Sequence, residues 1–252
     1  MLALHTNFTF EEGWSFVQKD VIKLIKNIEG ESETPIKAQQ IFYFYTNAYQ
    51  MCIHKPDDYS AELYEKYCEV IEDYAIQTVL PSLREKHGED MLRELVRRWK
   101  NHKILVKRLT LAFGYLDRYF IPQRRIPSLS KVGLTCFRDL IYREMQSTAT
   151  EVVLALIHKE RKGEQIDREL VENVLEVYAE IGMGTKEKYE EDFERFMLQD
   201  TVSYYSPKAS MWMKECSRSD YLLKACRRLY VILFYFRKVK KYIYRDISIY
   251  IY

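Results

Sequence analysis

The sequence predicts an all-α protein built from stacked helical bundles, and three observations predict it. Only 8 Gly and 6 Pro occur in 252 residues, so breakers are scarce while good helix formers are plentiful. Apolar residues recur at spacings of three and four through most of the chain, the signature of one buried helical face. No segment before residue 226 alternates apolar and polar in the manner of a half-buried strand.

The elements follow in order. Thr9-Phe-Glu-Glu12 is a capping box, in which hydroxyl and carboxylate satisfy each other's free backbone donors. Trp14, Val17, Val21, Leu24, Ile25 and Ile28 then line one face, and Gly30 stops the helix. Thr34-Pro35 suits the start of a second helix, running to about His54 before Lys55-Pro56. A third is expected over 60–86 with a kink at Pro81, closed by His87-Gly88. A fourth is expected over 89–101 and a fifth over 102–121, before a loop bracketed by Pro122 and Pro127. Further helices are expected over 129–145, over 148–162 from a Thr148-x-x-Glu151 box, and over 167–181. Gly182-Met-Gly184 reads as a break, Thr185 as the next cap, with helices to about Leu198 and over 207–216.

Charge is unevenly spread. Residues 226–252 carry seven Lys or Arg against Asp246 alone, a net +6 that leaves −4 on residues 1–225. The acidic body gives no broad electrostatic reason to bind nucleic acid. Five cysteines (Cys52, Cys68, Cys136, Cys216, Cys226) form no Cys-x-x-Cys pair, which suits reduced thiols in cytoplasm and nucleus better than a zinc site or a disulfide framework. The longest apolar run, 229–236, is far short of the ~20 residues needed to span a bilayer.

The chemical motifs are missing: no nucleophile elbow, no phosphate-binding loop, no His-Glu-x-x-His. The acidic stretch 187–194 reads as a solvated helix face with Tyr189, Phe193 and Phe196 turned inward. We therefore expect a non-enzymatic protein with no catalytic residues, no metal site and no cofactor.

Two predicted helices carry more apolar surface than one buried stripe requires. The second has Ile41, Phe42, Phe44, Tyr45, Ala48, Tyr49, Met51 and Cys52 around most of its circumference, and the fifth is apolar all round from Ile104 to Phe120. Either both are central helices buried on every side, or each packs inward on one face and meets a partner on the other. Periodicity alone does not choose.

Thr78-Val-Leu-Pro81, Trp99-Lys-Asn-His102, Tyr115-Leu-Asp-Arg-Tyr-Phe120, Gly133-Leu-Thr-Cys-Phe-Arg-Asp-Leu140, Glu180-Ile-Gly-Met-Gly184 and Phe196-Met-Leu-Gln-Asp200 stand in one collinear series. Over residues 10–224 this series resembles the amino-terminal region of a plant cullin of the Skp–F-box type. The resemblance implies five-helix cullin repeats stacked in a stalk: a first, adaptor-binding repeat over 9–122, an incomplete second over 123–225, and a divergent basic tail over 226–252. It implies a scaffold of a cullin-RING ubiquitin ligase, acting in ubiquitin-dependent protein catabolism. The partners implied are a Skp-type adaptor and its F-box protein, received on helices two and five of the first repeat. On the family pattern Ile41, Phe42, Tyr45 and Tyr49 are the helix-two contacts. Arg108, Leu111, Ala112 and Tyr115 follow for helix five by three-and-four spacing. Family members continue into a domain that binds a RING protein and carries a modified lysine. None of it is in these 252 residues, so the expectation is a truncated scaffold without a RING partner. The rival readings are a non-functional or unstable product and a peripheral membrane protein held by its basic tail.

Overall fold

The computed structural model describes residues 8–31, 37–54, 58–185, 187–226 and 235, which form helices joined by short turns, with no strand among them. The all-α fold is as the sequence predicts. Helix α1 (Phe10–Glu29) opens on the Thr9–Glu12 capping box, with both reciprocal bonds present, and closes on Gly30 at φ 79°. That left-handed conformation is one glycine adopts without a Cβ penalty. Helix α2 (Ala38–Cys52) is described from its N-cap Lys37. The expected start at Thr34-Pro35 and stop at Lys55-Pro56 lie outside the described residues.

Helix α3 (Ser60–Asp73) runs through a π-helical stretch, Tyr74–Val79, into α4 (Leu80–Arg84). The wide turns precede Pro81: the Leu80 amide reaches back five residues to the Ala75 carbonyl. A proline lacks the donor for a normal helical bond and crowds the carbonyl four residues back. The widened ladder spares the helix an interruption there.

The expected fourth and fifth helices are one. Helix α5 (Gly88–Ala112) passes without interruption through Asn101-His102, where the sequence reading placed a boundary. The polar run there is partly buried and paired inside the fold. Arg98 donates to Glu29 Oε2 at 2.5 Å, and His102 Nε2 donates to the Gly133 carbonyl at 2.8 Å. The chain turns at Phe113 instead, then continues through a π-helical stretch (Leu116–Phe120) into α6 (Ile121–Arg124).

Helix α7 (Leu129–Cys136), capped by the Ser128 hydroxyl, leads through a π-helical stretch (Phe137–Tyr142) into α8 (Arg143–Lys162). The Thr148-x-x-Glu151 pattern therefore caps nothing: it sits inside α8. Helix α9 (Arg168–Ile181) opens on the Asp167 carboxylate, which accepts from the Leu170 amide. The Gly182–Gly184 break is present, with Met183 and Gly184 both at positive φ. Helix α10 (Glu187–Tyr189), a π-helical stretch (Glu190–Glu194) and α11 (Arg195–Glu215) follow end to end. Pro207 lies within α11 and does not open a separate helix.

The helices form two compact units. The first comprises Met1–Ser82 and Arg97–Tyr142, the second Leu83–Val96 and Arg143–Tyr252. In the first unit α1 packs on α2, α3 packs on α7, and the π-helical stretches Tyr74–Val79 and Phe137–Tyr142 meet. Its centre holds Leu63, Tyr67, Ile71, Leu105, Leu109, Phe113 and Phe137, all at most 1% exposed. Burial of each contributes about 1.5–3 kcal/mol.

A polar cluster fastens the end of α1 to α5. Glu29, 7% exposed at its side chain, accepts from Arg98 and, at 2.5 Å, from the Tyr74 hydroxyl. Asn101 Nδ2 adds bonds to Glu29 and to the Ile28 carbonyl, each at 3.3 Å. His102 is fully enclosed, stacked between Trp99 and Tyr74 and tilted on Phe137. Burial pulls its pKa down to about 4.

The second unit is centred on Val153, Val171, Val174, Leu175, Phe193 and Met197, none of them exposed. Thr150 shares a 2.8 Å bond with the Tyr178 hydroxyl and donates to the Asp192 carbonyl at 3.1 Å. Arg161 pairs with Asp200 and lies over the rings of Tyr204 and Tyr205. The basic segment 226–252 falls outside the described residues apart from Cys226 and Tyr235. Tyr235 is buried in this unit, and its hydroxyl donates to Glu160 Oε2 at 2.7 Å.

Candidate protein-binding surface

The two over-apolar segments meet in the first unit. Each turns one face inward. Phe44 of α2 is 2% exposed and sits edge-on to Phe113 with centroids 5.5 Å apart; Ala48, Met51 and Cys52 are buried beside it. Leu105, Val106, Leu109 and Ala112 do the same for α5. That leaves a second apolar face on each.

On α2 this second face holds Phe42, Tyr45 and Tyr49. Phe42 is 62% exposed, its carbonyl held by the Thr46 hydroxyl at 2.9 Å. Tyr45 and Tyr49 stack at 6.0 Å. Tyr49 then meets Tyr115 edge-on at 5.3 Å, and Tyr115 lies 4.7 Å from Tyr119. Four tyrosines thus form a continuous aromatic row from α2 to the chain after α5, each pair contributing about 0.5–1.5 kcal/mol beyond its burial. Loss of hydration within the row raises the Tyr115 phenol above its usual value, with Cys52 and Asp58 adding to the effect.

On α5, Ile104, Arg108 and Leu111 follow at intervals of four and three and so share a face. All three are exposed. Tyr115 continues that spacing past the turn at Phe113.

Seven of the eight sequence-predicted positions therefore reach the surface. Phe42, Arg108 and Leu111 are exposed, while Ile41, Tyr45, Tyr49 and Tyr115 are half-buried. Ala112 is fully buried and belongs to the core behind this face. The site prediction left out Tyr43, Ile104 and Tyr119, which are 38%, 47% and 53% exposed. Ile104 and Tyr119 lie one further step along the stripe that contains Arg108, Leu111 and Tyr115, so extending the same periodicity would have found them.

Among the described residues no group of three or more His, Cys, Asp or Glu could hold a metal ion, and no helix is long and apolar enough to cross a membrane. The thiols of Cys52 and Cys136 are pushed up to about 12, chiefly by burial, which makes them poor nucleophiles.

Comparison with known proteins decides the family. A family model, the cullin alpha solenoid domain, matches residues 14–231. The chain belongs to the cullin family. It is 64% identical over 217 residues to a cullin-like protein 2 of Arabidopsis thaliana, covering 85% of this chain and 58% of that one. It is 58% identical over 219 residues to cullin-like protein 3 of the same plant, covering 87% and 85%. It is also 52% identical over 204 residues to Cullin-1 of Oryza sativa subsp. japonica, covering 80% of this chain. The chain spans 27% of that last cullin's length, and 58% of the first relative's. The cullin match ends at residue 231, somewhat beyond Lys224.

Proposed function

We propose that this cullin chain is a non-enzymatic scaffold element of a cullin-RING ubiquitin ligase, binding a Skp-type adaptor that carries an F-box protein. The observation that carries this reading is the continuous aromatic row Tyr45–Tyr49–Tyr115–Tyr119, flanked by exposed Phe42 and Leu111. Exposed aromatics backed by a rigid helical core are what a protein partner's apolar side chains recognise. The face is built by packing within one unit, so it is preorganised and loses little entropy on binding.

In chain order, we place a first cullin repeat at 9–122 and a second, incomplete one at 123–225. The site is Ile41, Phe42, Tyr45, Tyr49, Arg108, Leu111 and Tyr115, with Ala112 supporting it from behind. Cytoplasm and nucleus are the proposed locations, in keeping with five free cysteines.

The test is a pull-down of the 252-residue chain with a Skp-type adaptor bound to an F-box protein, beside Tyr45→Ala and Tyr115→Ala. Binding by the wild type and a loss of about 10-fold or more in each variant supports the reading, the range expected of central aromatic anchors. Failure of the well-folded wild type to bind would overturn it.

A further inference from the structure

Beside the aromatic face lies a set of cations that the fold does not use. Between residues 107 and 131 stand Lys107, Arg108, Arg118, Arg124, Arg125 and Lys131, all exposed, and the stretch has a single acid, Asp117. Asp117 is engaged elsewhere, accepting the Leu129 amide at 3.1 Å. Among the described residues none of the six cations forms an ion pair. The contact recorded is Arg124 over the Phe120 ring at 5.7 Å.

Three other basic residues of the same unit are matched. Arg98 pairs with Glu29, Arg138 with Asp139 and Lys66 with Glu69. The body as a whole is acidic, at −4 over residues 1–225, so the strip stands against the prevailing field. The strip also runs on from the aromatic face: Lys107 and Arg108 lie between Ile104 and Leu111 on α5, and Arg118 precedes Tyr119.

We infer that this strip, Lys107 to Lys131, receives an acidic segment of the protein that docks on the aromatic face and steers its approach. The inference rests on the adaptor-binding reading. The occupant is a protein because Lys107 and Arg108 share the α5 face with exposed Ile104 and Leu111, aliphatic groups that bury against apolar side chains. Charges at the rim of such a contact act on the rate of encounter, whereas the aromatic centre sets how long the complex lasts.

The experiment measures association and dissociation rates of the 252-residue chain with a Skp-type adaptor–F-box complex across a series of salt concentrations. The variant is Lys107→Glu, Arg118→Glu and Lys131→Glu combined, none of which has a side-chain bond to lose, with helicity checked by circular dichroism. The expected result is a wild-type association rate that falls steeply with added salt. The variant should associate on the order of 10-fold more slowly at low salt, with a dissociation rate little changed. Wild-type binding with an association rate indifferent to both salt and charge reversal overturns the steering strip and leaves the adaptor reading standing. Absence of wild-type binding overturns the adaptor reading itself. A single-stranded RNA probe provides the third arm. RNA binding that charge reversal abolishes, with adaptor association unchanged, would assign the strip to nucleic acid and overturn the inference.

Discussion

Gly133→Ala is predicted to destabilise the first unit, although the change removes a glycine from a helix. Gly133 lies in α7 against α5 and α3. A Cβ built there would approach the two Val106 methyls to 2.6 and 2.9 Å and the Tyr67 hydroxyl to 3.0 Å. Carbon atoms rest at about 3.5–4.0 Å. The neighbours have little room to retreat: Val106 is 3% exposed, and Tyr67 is fully buried with its hydroxyl donating to the Leu129 carbonyl at 2.7 Å. Overpacking of this kind costs about 1–3 kcal/mol, and disturbing the Tyr67 bond adds about 1 kcal/mol. Helix propensity returns about 1 kcal/mol in favour of alanine. The net expectation is a loss of about 2 kcal/mol, which lowers Tm by roughly 4–8 °C for a chain of this size. Urea unfolding followed by near-ultraviolet circular dichroism measures it. Repeating the substitution in a Val106→Ala background removes both clashing methyls, so Gly133→Ala should then cost much less. A variant as stable as the parent, or an equal loss in both backgrounds, would refute the steric reasoning.

Three further outcomes are expected. Glu29→Ala removes the buried carboxylate that accepts from both Arg98 and the Tyr74 hydroxyl, so a loss of about 3–5 kcal/mol is expected in the same urea assay. His102 gives the first unit an acid sensitivity. Its pKa is depressed from 6.5 to about 4, so the unfolded chain takes up the proton first. The stability tied to the neutral ring is complete above pH 6.5 and drains away as pH falls from 6.5 toward 4, by about 3 kcal/mol in all. Unfolding curves at pH 7 and 5 should differ by about 2 kcal/mol more for the wild type than for His102→Gln. Thr9→Ala removes the hydroxyl that accepts the Glu12 amide. It should cost about 1 kcal/mol, with amide exchange accelerating first at the start of α1.

What the sequence made legible was whatever depends on near neighbours. The Thr9–Glu12 box, the Gly30 stop and the Gly182–Gly184 break are chemical agreements between residues a few positions apart, and all three are present. The false boundary at Asn101-His102 has the opposite origin. Arg98, Asn101 and His102 look like solvated residues until Glu29 and the Gly133 carbonyl, distant in sequence, are brought beside them. Thr148 misled for a related reason, since a cap pattern has meaning only where a helix begins, and α8 had begun at Arg143. The surface was half legible. Excess apolar content marked α2 and the region around Leu111, but which ring turns outward is decided by partners such as Phe113, which claims Phe44 for the core. Ala112 satisfied the spacing and still faces inward, because it also follows buried Leu105 and Leu109 at steps of four and three.

The π-helical stretches at Tyr74–Val79, Leu116–Phe120, Phe137–Tyr142 and Glu190–Glu194 bear on how this lineage can change. A widened turn holds one residue more than the ladder needs, so each is a place where a helix accommodates an extra residue without ending. Losing that residue would restore a regular ladder and rotate everything downstream by about 100°. In the stretch after Tyr115 such a deletion would carry Tyr119 off the aromatic row while leaving the Tyr45–Tyr49–Tyr115 portion in place. Related chains that differ in length by a single residue there would share this core and present a different face to their partners.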